Sequence, residues 1–135
     1  MVSVPHTYQL DTNVVIQMLR GDSNIVQHIY EVGIHNCCIS EITIAELYYG
    51  AVKGNRQSNY DDIHRVEEIF QIIPVYDSFE QLAKIRADLK SCGKMIDAYD
   101  MMIGATAVDH GFTLVTHNTR HFINIKDIQL QDWQG

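Results

Sequence analysis

Glu46 is the only charged residue in the stretch Ile42-Thr-Ile-Ala-Glu-Leu-Tyr-Tyr-Gly-Ala-Val52. A carboxylate in so apolar a run is costly to bury unless something compensates it. Asp100 repeats the pattern at the head of Met101-Met-Ile-Gly-Ala-Thr-Ala-Val108, and Asp11 repeats it in Tyr8-Gln-Leu-Asp-Thr-Asn13. These acids are far apart in sequence, and each sits beside chain with a buried character. If the fold gathers them, their mutual repulsion calls for a cation. Oxygen-rich sites of this kind suit Mg2+ or Mn2+. Two such ions can activate a water and stabilise the leaving oxygen of an in-line phosphoryl displacement. A metal site is therefore the first reading of Asp11, Glu46 and Asp100.

Composition bounds what can hold such a site. At 135 residues the chain is expected to be one domain over residues 1–135, with a real core. A hydrophobic content of 46% and only two prolines argue against disorder. No apolar run approaches the roughly 20 residues of a membrane span. The N-terminal Met-Val-Ser-Val-Pro-His has neither a basic nor an apolar leader region, so a signal peptide is not expected. Cys37, Cys38 and Cys92 are odd in number and carry no metal-ligand spacing, which fits ordinary thiols in a reducing cytoplasm.

The net charge of −7 disfavours a protein that coats nucleic acid. It does not exclude RNA chemistry, because a bound divalent cation reverses the local sign. Lys53, Arg56, Arg86, Lys90, Lys94 and Arg120 are available to touch phosphates, or are solvated surface.

The elements that must position the acids alternate strand and helix. Strands are predicted over 7–10, 37–39, 72–76 and 112–115, with a last edge strand over 128–130. Helices are predicted over 14–20, 23–32, 41–52, 60–70 and 95–110, and another from Asp77-Ser-Phe-Glu80 to Gly93. Asp22 and Ser40 are placed to cap, Glu41 suits a first helical turn, and Asp77 to Glu80 has capping-box spacing. Residues 53–58 read as a polar loop. Pro74 belongs near a sheet edge.

Regular helices between short strands argue for a parallel sheet covered on both faces. Ligands bind such sheets beyond the carboxyl ends of the strands, where the strand order reverses. Asp11-Thr-Asn13 lies just past one strand and Thr116-His-Asn118 just past another. If those strands are neighbours, both triplets face one crevice.

Four segments together resemble the PIN-domain family, most closely VapC-type toxins of toxin–antitoxin pairs. They are Leu10-Asp-Thr-Asn13, Ser40-Glu-Ile-Thr-Ile-Ala-Glu-Leu-Tyr-Tyr-Gly50, Tyr99-Asp-Met-Met-Ile-Gly-Ala-Thr-Ala107 and Leu114-Val-Thr-His-Asn-Thr-Arg-His-Phe122. The resemblance implies a three-layer α/β/α sandwich with a short central parallel sheet. It implies a Mg2+- or Mn2+-dependent endoribonuclease in which Asp11, Glu46 and Asp100 hold the metal. Thr12, Asn13, Thr116 and Asn118 match polar positions of the family. Members often carry a fourth acid near the Asn118 position, where this chain has Asn118 and His121. Asp97 stands where a glycine is common, and is either a helper ligand or a helix cap. The implied partners are an RNA substrate, a VapB-like antitoxin and a second copy of the chain, with larger toxin–antitoxin complexes in view. No membrane is implied.

Other readings remain beside this one. A PIN-like module could bind RNA or protein without cutting. A magnesium-dependent phosphatase shares the strand-tip aspartate, but Leu-Asp-Thr-Asn lacks the second aspartate two residues on. His117 and His121 have i,i+4 spacing, yet no third nitrogen or sulfur ligand for zinc is evident nearby. Tyr48 and Tyr49 could stack on bases or pack against a partner.

Overall fold

The computed structural model describes residues 6–134. Residues 1–5, on which the reading of the N-terminus rests, and residue 135 lie outside the described residues. Five short strands, Tyr8–Leu10 (β1), Cys37–Ser40 (β2), Gln71–Ile73 (β3), Thr113–Val115 (β4) and Gln129–Gln131 (β5), form one sheet. Its order is β3-β2-β1-β4-β5, and every pair is parallel. The chain builds outward from β1 in one direction, then restarts on the other side with β4. The order therefore reverses between β1 and β4, which pair as Tyr8 with Thr113 and Leu10 with Val115. β3 is an edge strand, with Pro74 immediately after it.

The helices are Thr12–Leu19 (α1), Ser23–Val32 (α2), Glu41–Gly54 (α3), Gln57–Ile69 (α4), Phe79–Ser91 (α5), Ala98–His110 (α6) and Thr119–Phe122 (α7). Side chains of successive strand residues point to opposite faces, and this sorts the core into two clusters. Leu10, Ile39 and Val115 pack with Val14, Ile25, Leu47, Ile63 and Val66 from α1 to α4. Leu114 packs with Ile85, Leu89, Ile103 and Phe122 from α5 to α7. The result is the three-layer α/β/α sandwich expected from the sequence. Among the described residues, no helix is long and apolar enough to cross a membrane.

Gln9, fully buried in the central strand, donates from Nε2 to the Ile103 carbonyl of α6 at 3.0 Å. Gly104, one residue on, is tightly packed: a Cβ there would lie 2.6 Å from Ile125 Cδ1, so the end of that side chain would have to shift. Close approach, not conformational freedom, favours glycine at that position.

Local chemistry accounts for most boundaries. Asp22 accepts from the Asn24 and Ile25 amides, and Ser40 Oγ accepts from the Ile42 amide at 3.1 Å. Several expectations are corrected. The loop over 53–58 shrinks to Asn55 and Arg56, because α3 runs through Gly54 and stops at Asn55 in the left-handed region. The helix expected from Met95 begins at Ala98, where Asp97 caps it. The strand over 72–76 is the shorter β3. The capping box at Asp77 does not form; Ser78 Oγ instead donates to Asp109 Oδ2 at 2.9 Å, and Asp77 sits in a 3₁₀ turn. Helix α1 starts at Thr12, two residues early, because Asp11 itself caps it.

Candidate metal centre

Asp11 leaves the tip of β1 at the reversal point. Its amide donates to the Val115 carbonyl of β4 at 2.9 Å, which fixes the backbone. Its carboxylate is held at both oxygens: Oδ1 accepts from the Thr12 amide at 2.8 Å, and Oδ2 accepts from Thr116 Oγ1 at 2.9 Å. Only 4% of the residue is exposed. Thr116 in turn accepts from the Asn118 amide at 3.0 Å, so the turn after β4 is tied to the same carboxylate.

Glu46 approaches from α3, on the α1–α4 side of the sheet. Thr12 Oγ1 donates to its Oε1 at 2.6 Å and also lies 3.1 Å from Thr43 Oγ1. Thr43 is buried one helical turn before Glu46. Asp100 approaches from the first turn of α6, on the opposite side. His121 Nδ1, on α7, contacts its Oδ2 at 3.2 Å. Two threonines and a histidine thus orient the acids without neutralising them all.

Asp97 caps α6, accepting from the Tyr99 and Asp100 amides at 3.0 and 3.4 Å. Asn13 is exposed, and neither its side chain nor that of Asn118 makes a hydrogen bond among the described residues. His117 lies 3.1 Å from Asp132, so the two histidines serve different acids. Sequence reasoning missed Thr43 altogether. Its signal was its position three residues before Glu46, one turn back on the same helical face. The His121 contact could not be read, because α7 is too short to show a period.

The acids sense one another. Burial is the largest influence on Asp11 and pushes its carboxyl pKa up; the Thr116 and Thr12 hydrogen bonds oppose this, and Asp100 adds repulsion. Burial also raises Glu46, opposed by Thr12 and reinforced by Asp11, Asp100 and Asp97. Asp100 is raised by burial, with His121 opposing and Asp97 repelling. A hydrogen bond to a charged group gives about 1.5–3 kcal/mol. Desolvating an ion costs several. The upward direction at all three acids says that desolvation wins. Among the described residues, no three carboxylate, imidazole or thiolate groups stand close enough to enclose an ion unaided. The acids nonetheless lie within electrostatic reach of one another: Asp100 acts on Asp11, and both act on Glu46.

A stability prediction follows from those directions. Carboxyls raised in the folded chain bind protons more tightly there than when unfolded. The unfolded state then holds fewer protons, so stability falls as pH rises from the ordinary carboxylate range through the folded values. In chelator, wild type should melt lower at pH 7 than at pH 5. Glu46→Gln keeps an acceptor for Thr12 but removes one charge, so it should flatten this slope and match or exceed wild type at pH 7. Thermal melts across that range check both points.

Asp97 provides a contrast. Asn caps as well as Asp. Asp97→Asn should leave the melting temperature nearly unchanged, whereas Asp97→Ala should cost about 1 kcal/mol. Any loss of catalysis in Asp97→Asn should stay below the roughly 10- to 100-fold typical of losing a ligand's supporting partner. Denaturant melts and initial rates measure the two effects.

A strand-tip aspartate at the reversal of a parallel sheet, joined by one acid from each helical layer, defines an α/β protein with an acidic crevice. The sequence pattern of the PIN domain matches residues 8–128, and the chain belongs to that family. It is 32% identical over 130 residues to the tRNA(fMet)-specific endonuclease VapC of Salmonella typhimurium, covering 93% of this chain and 97% of that one. It is 31% identical over 130 residues to ribonuclease VapC2 of Haemophilus influenzae, with the same coverage. Among solved structures it resembles VapBC2 from Rickettsia felis bound to a promoter DNA fragment, with a TM-score of 0.85 and 25% identity, covering 94% of this chain and 98% of that one. DNA-bound VapBC from Salmonella typhimurium superposes with a TM-score of 0.83 at 29% identity, covering 95% and 98%.

Proposed function

We propose that residues 1–135 act as one PIN-like domain that hydrolyses RNA phosphodiesters at the Asp11, Glu46 and Asp100 crevice, with Mg2+ or Mn2+ as cofactor. The observation that carries this is a set of three partly or wholly desolvated carboxylates, each pushed toward protonation, whose one titratable base in hydrogen-bond contact among the described residues is His121. Such a set suits a small hard cation. Its open spacing also suits Mg2+, which keeps several waters and takes few protein ligands. Asp11, Glu46 and Asp100 would hold the ion, with Asp97 close by. The chemistry it supplies when bound is activation of a water and neutralisation of charge on the phosphoryl oxygens.

The chain's own residues do the positioning. Thr116 and the Thr12 amide hold both Asp11 oxygens, which stops that carboxylate from rotating away. The Thr12 hydroxyl holds Glu46, and His121 holds Asp100. Burial beside α3 and α6 lowers the local dielectric, which strengthens every charge interaction in the crevice. The test is cleavage of RNA in Mg2+ or Mn2+, abolished by chelator. The second reading, a PIN-like module that binds without cutting, draws on the spacing of the acids; metal-insensitive binding without cleavage would favour it.

The same proposal covers partners. The relatives named VapC and the solved VapBC assemblies support a cytoplasmic toxin held by a VapB-like antitoxin, as a homodimer or within a larger complex. A trough between α1, α3 and α4 offers the antitoxin a seat. Ile16, Leu19, Leu47 and Ile63 line it, and Glu46 stands on its rim.

A further inference from the structure

The chain has ten lysines and arginines against a net charge of −7, so the places where cations stand unpaired are informative. Arg65 pairs with Asp62 and Lys84 with Glu80, each at 3.6 Å. The other eight make no ion pair among the described residues; Lys94 and Arg120 stand out among them because both line an open recess of about 530 Å³ that includes Asp97 and Asp100. His121 and Asn124 complete its wall. Lys94 follows the Gly93 turn between α5 and α6, and Arg120 comes from α7. Two segments distant in sequence therefore bring exposed cations to the same edge of the acidic crevice.

An exposed ion pair in water gains only about 1 kcal/mol at 4 Å, too little to hold long side chains on the neighbouring acids. A phosphate offers more. Arg120 can meet it with two parallel N–H donors, and Lys94 can meet it as a point charge. Asn124 adds an amide for phosphate or sugar oxygens. The other approach differs in balance: the α1, α3 and α4 trough sets Ile16, Leu19, Leu47 and Ile63 beside one cation, Arg20, and two acids, Glu46 and Asp62. An anionic strand meets two cations, Lys94 and Arg120, on the first side and one, Arg20, on the second.

We propose that the recess of Lys94, Arg120, His121 and Asn124 seats backbone phosphates of the RNA strand flanking the scissile one, so that the strand reaches Asp100 across α7. This deepens the nuclease reading and rests on it. It also separates substrate from inhibitor: RNA lies on the α6–α7 side, and a protein partner on the α1, α3 and α4 side.

The test measures anisotropy of a labelled single-stranded RNA of mixed sequence, in Mg2+, with the chain carrying Asp11→Asn to suppress cleavage. Adding Lys94→Gln and Arg120→Gln should weaken binding by about tenfold or more. It should also reduce the slope of log K against log[salt] by about 1.4, at roughly 0.7 for each phosphate no longer neutralised. Arg65→Gln, on α4 and already paired, should change neither. Arg120→Lys keeps the charge and loses the fork, so it should keep the slope but lose affinity; it also serves if the double variant folds poorly. Affinity and slope equal to the parent's would overturn the proposal. Wild-type cleavage is run alongside. Cleavage that needs Mg2+ and Asp11, with an unchanged slope, rejects the recess alone. No metal-dependent cleavage and no RNA binding rejects the nuclease reading and the recess with it.

Discussion

Asp11→Asn is expected to lower RNA cleavage by at least about 100-fold, since even a ligand's supporting partner is worth roughly 10- to 100-fold. The chain should stay folded. Asparagine is as good an N-cap as aspartate, and its side-chain oxygen can keep the bond from the Thr12 amide. What it loses is the second oxygen, which accepts from Thr116, and the charge. The loss of charge also removes the repulsion that Asp11 exerts on Glu46. A cation that binds only the folded chain stabilises it by about 2.7 kcal/mol at 100 times its dissociation constant. The melting-temperature rise on adding Mg2+ should therefore shrink in Asp11→Asn and vanish when Asp11, Glu46 and Asp100 are all amides. Initial rates and melts with and without metal read the two effects separately. An undiminished metal shift in the triple variant would place the ion elsewhere.

The second large effect concerns the inhibitor. An acidic crevice with Glu46 on the rim of an apolar trough invites a partner that lays hydrophobic anchors along Ile16, Leu47 and Ile63. Such a partner can then push an arginine or lysine among the carboxylates, where it competes with metal. Changing that basic residue of the partner to alanine should weaken inhibition on the order of 100-fold, because truncating one member of a buried, hydrogen-bonded charge pair costs about 2–5 kcal/mol. Much of the binding should survive on the hydrophobic anchors. Titrating the partner into a cleavage assay, and measuring its binding separately, tells the two losses apart. Equal, small changes in both would mean that inhibition does not run through the acids.

Much of this arrangement was legible in the chain. Asp22 and Ser40 cap helices in the expected way, and the apolar stretches around Glu46 and after Asp100 singled out two acids that the structure sets within electrostatic reach of each other. The placement of Asp11 followed from a strand reading and a parallel sheet. What escaped depends on long-range geometry. Asp77 and Glu80 have capping-box spacing, but the box does not form, and the hydroxyl of Ser78 between them finds Asp109, 31 residues away. Met95 and Ile96 continue an apolar pattern and suggested an earlier helix start, yet they precede the cap at Asp97. Residues 53–58 read as a polar loop, but α3 continues through Gly54 and ends at Asn55, whose φ of 51° does the terminating. The four residues of α7 carry no periodicity, so neither the His121 contact nor the proximity of Arg120 to Lys94 could be seen in advance.

The tight packing at Gly104 ties the interior to the mouth of the crevice. Glu46 belongs to the layer above the sheet and Asp100 to the layer below, with Asp11 at the edge between them. The gap between the outer two acids therefore works as a caliper whose jaws are the two helical layers. A methyl at Gly104 would meet Ile125 Cδ1, in the segment that follows α7; the end of that side chain would yield first, and a larger residue would press on α6 and its neighbour. Helix α6 carries Asp100, and α7 carries the histidine that steadies it. Carboxylate spacing in this fold can thus be tuned from inside, by residues that touch neither metal nor RNA.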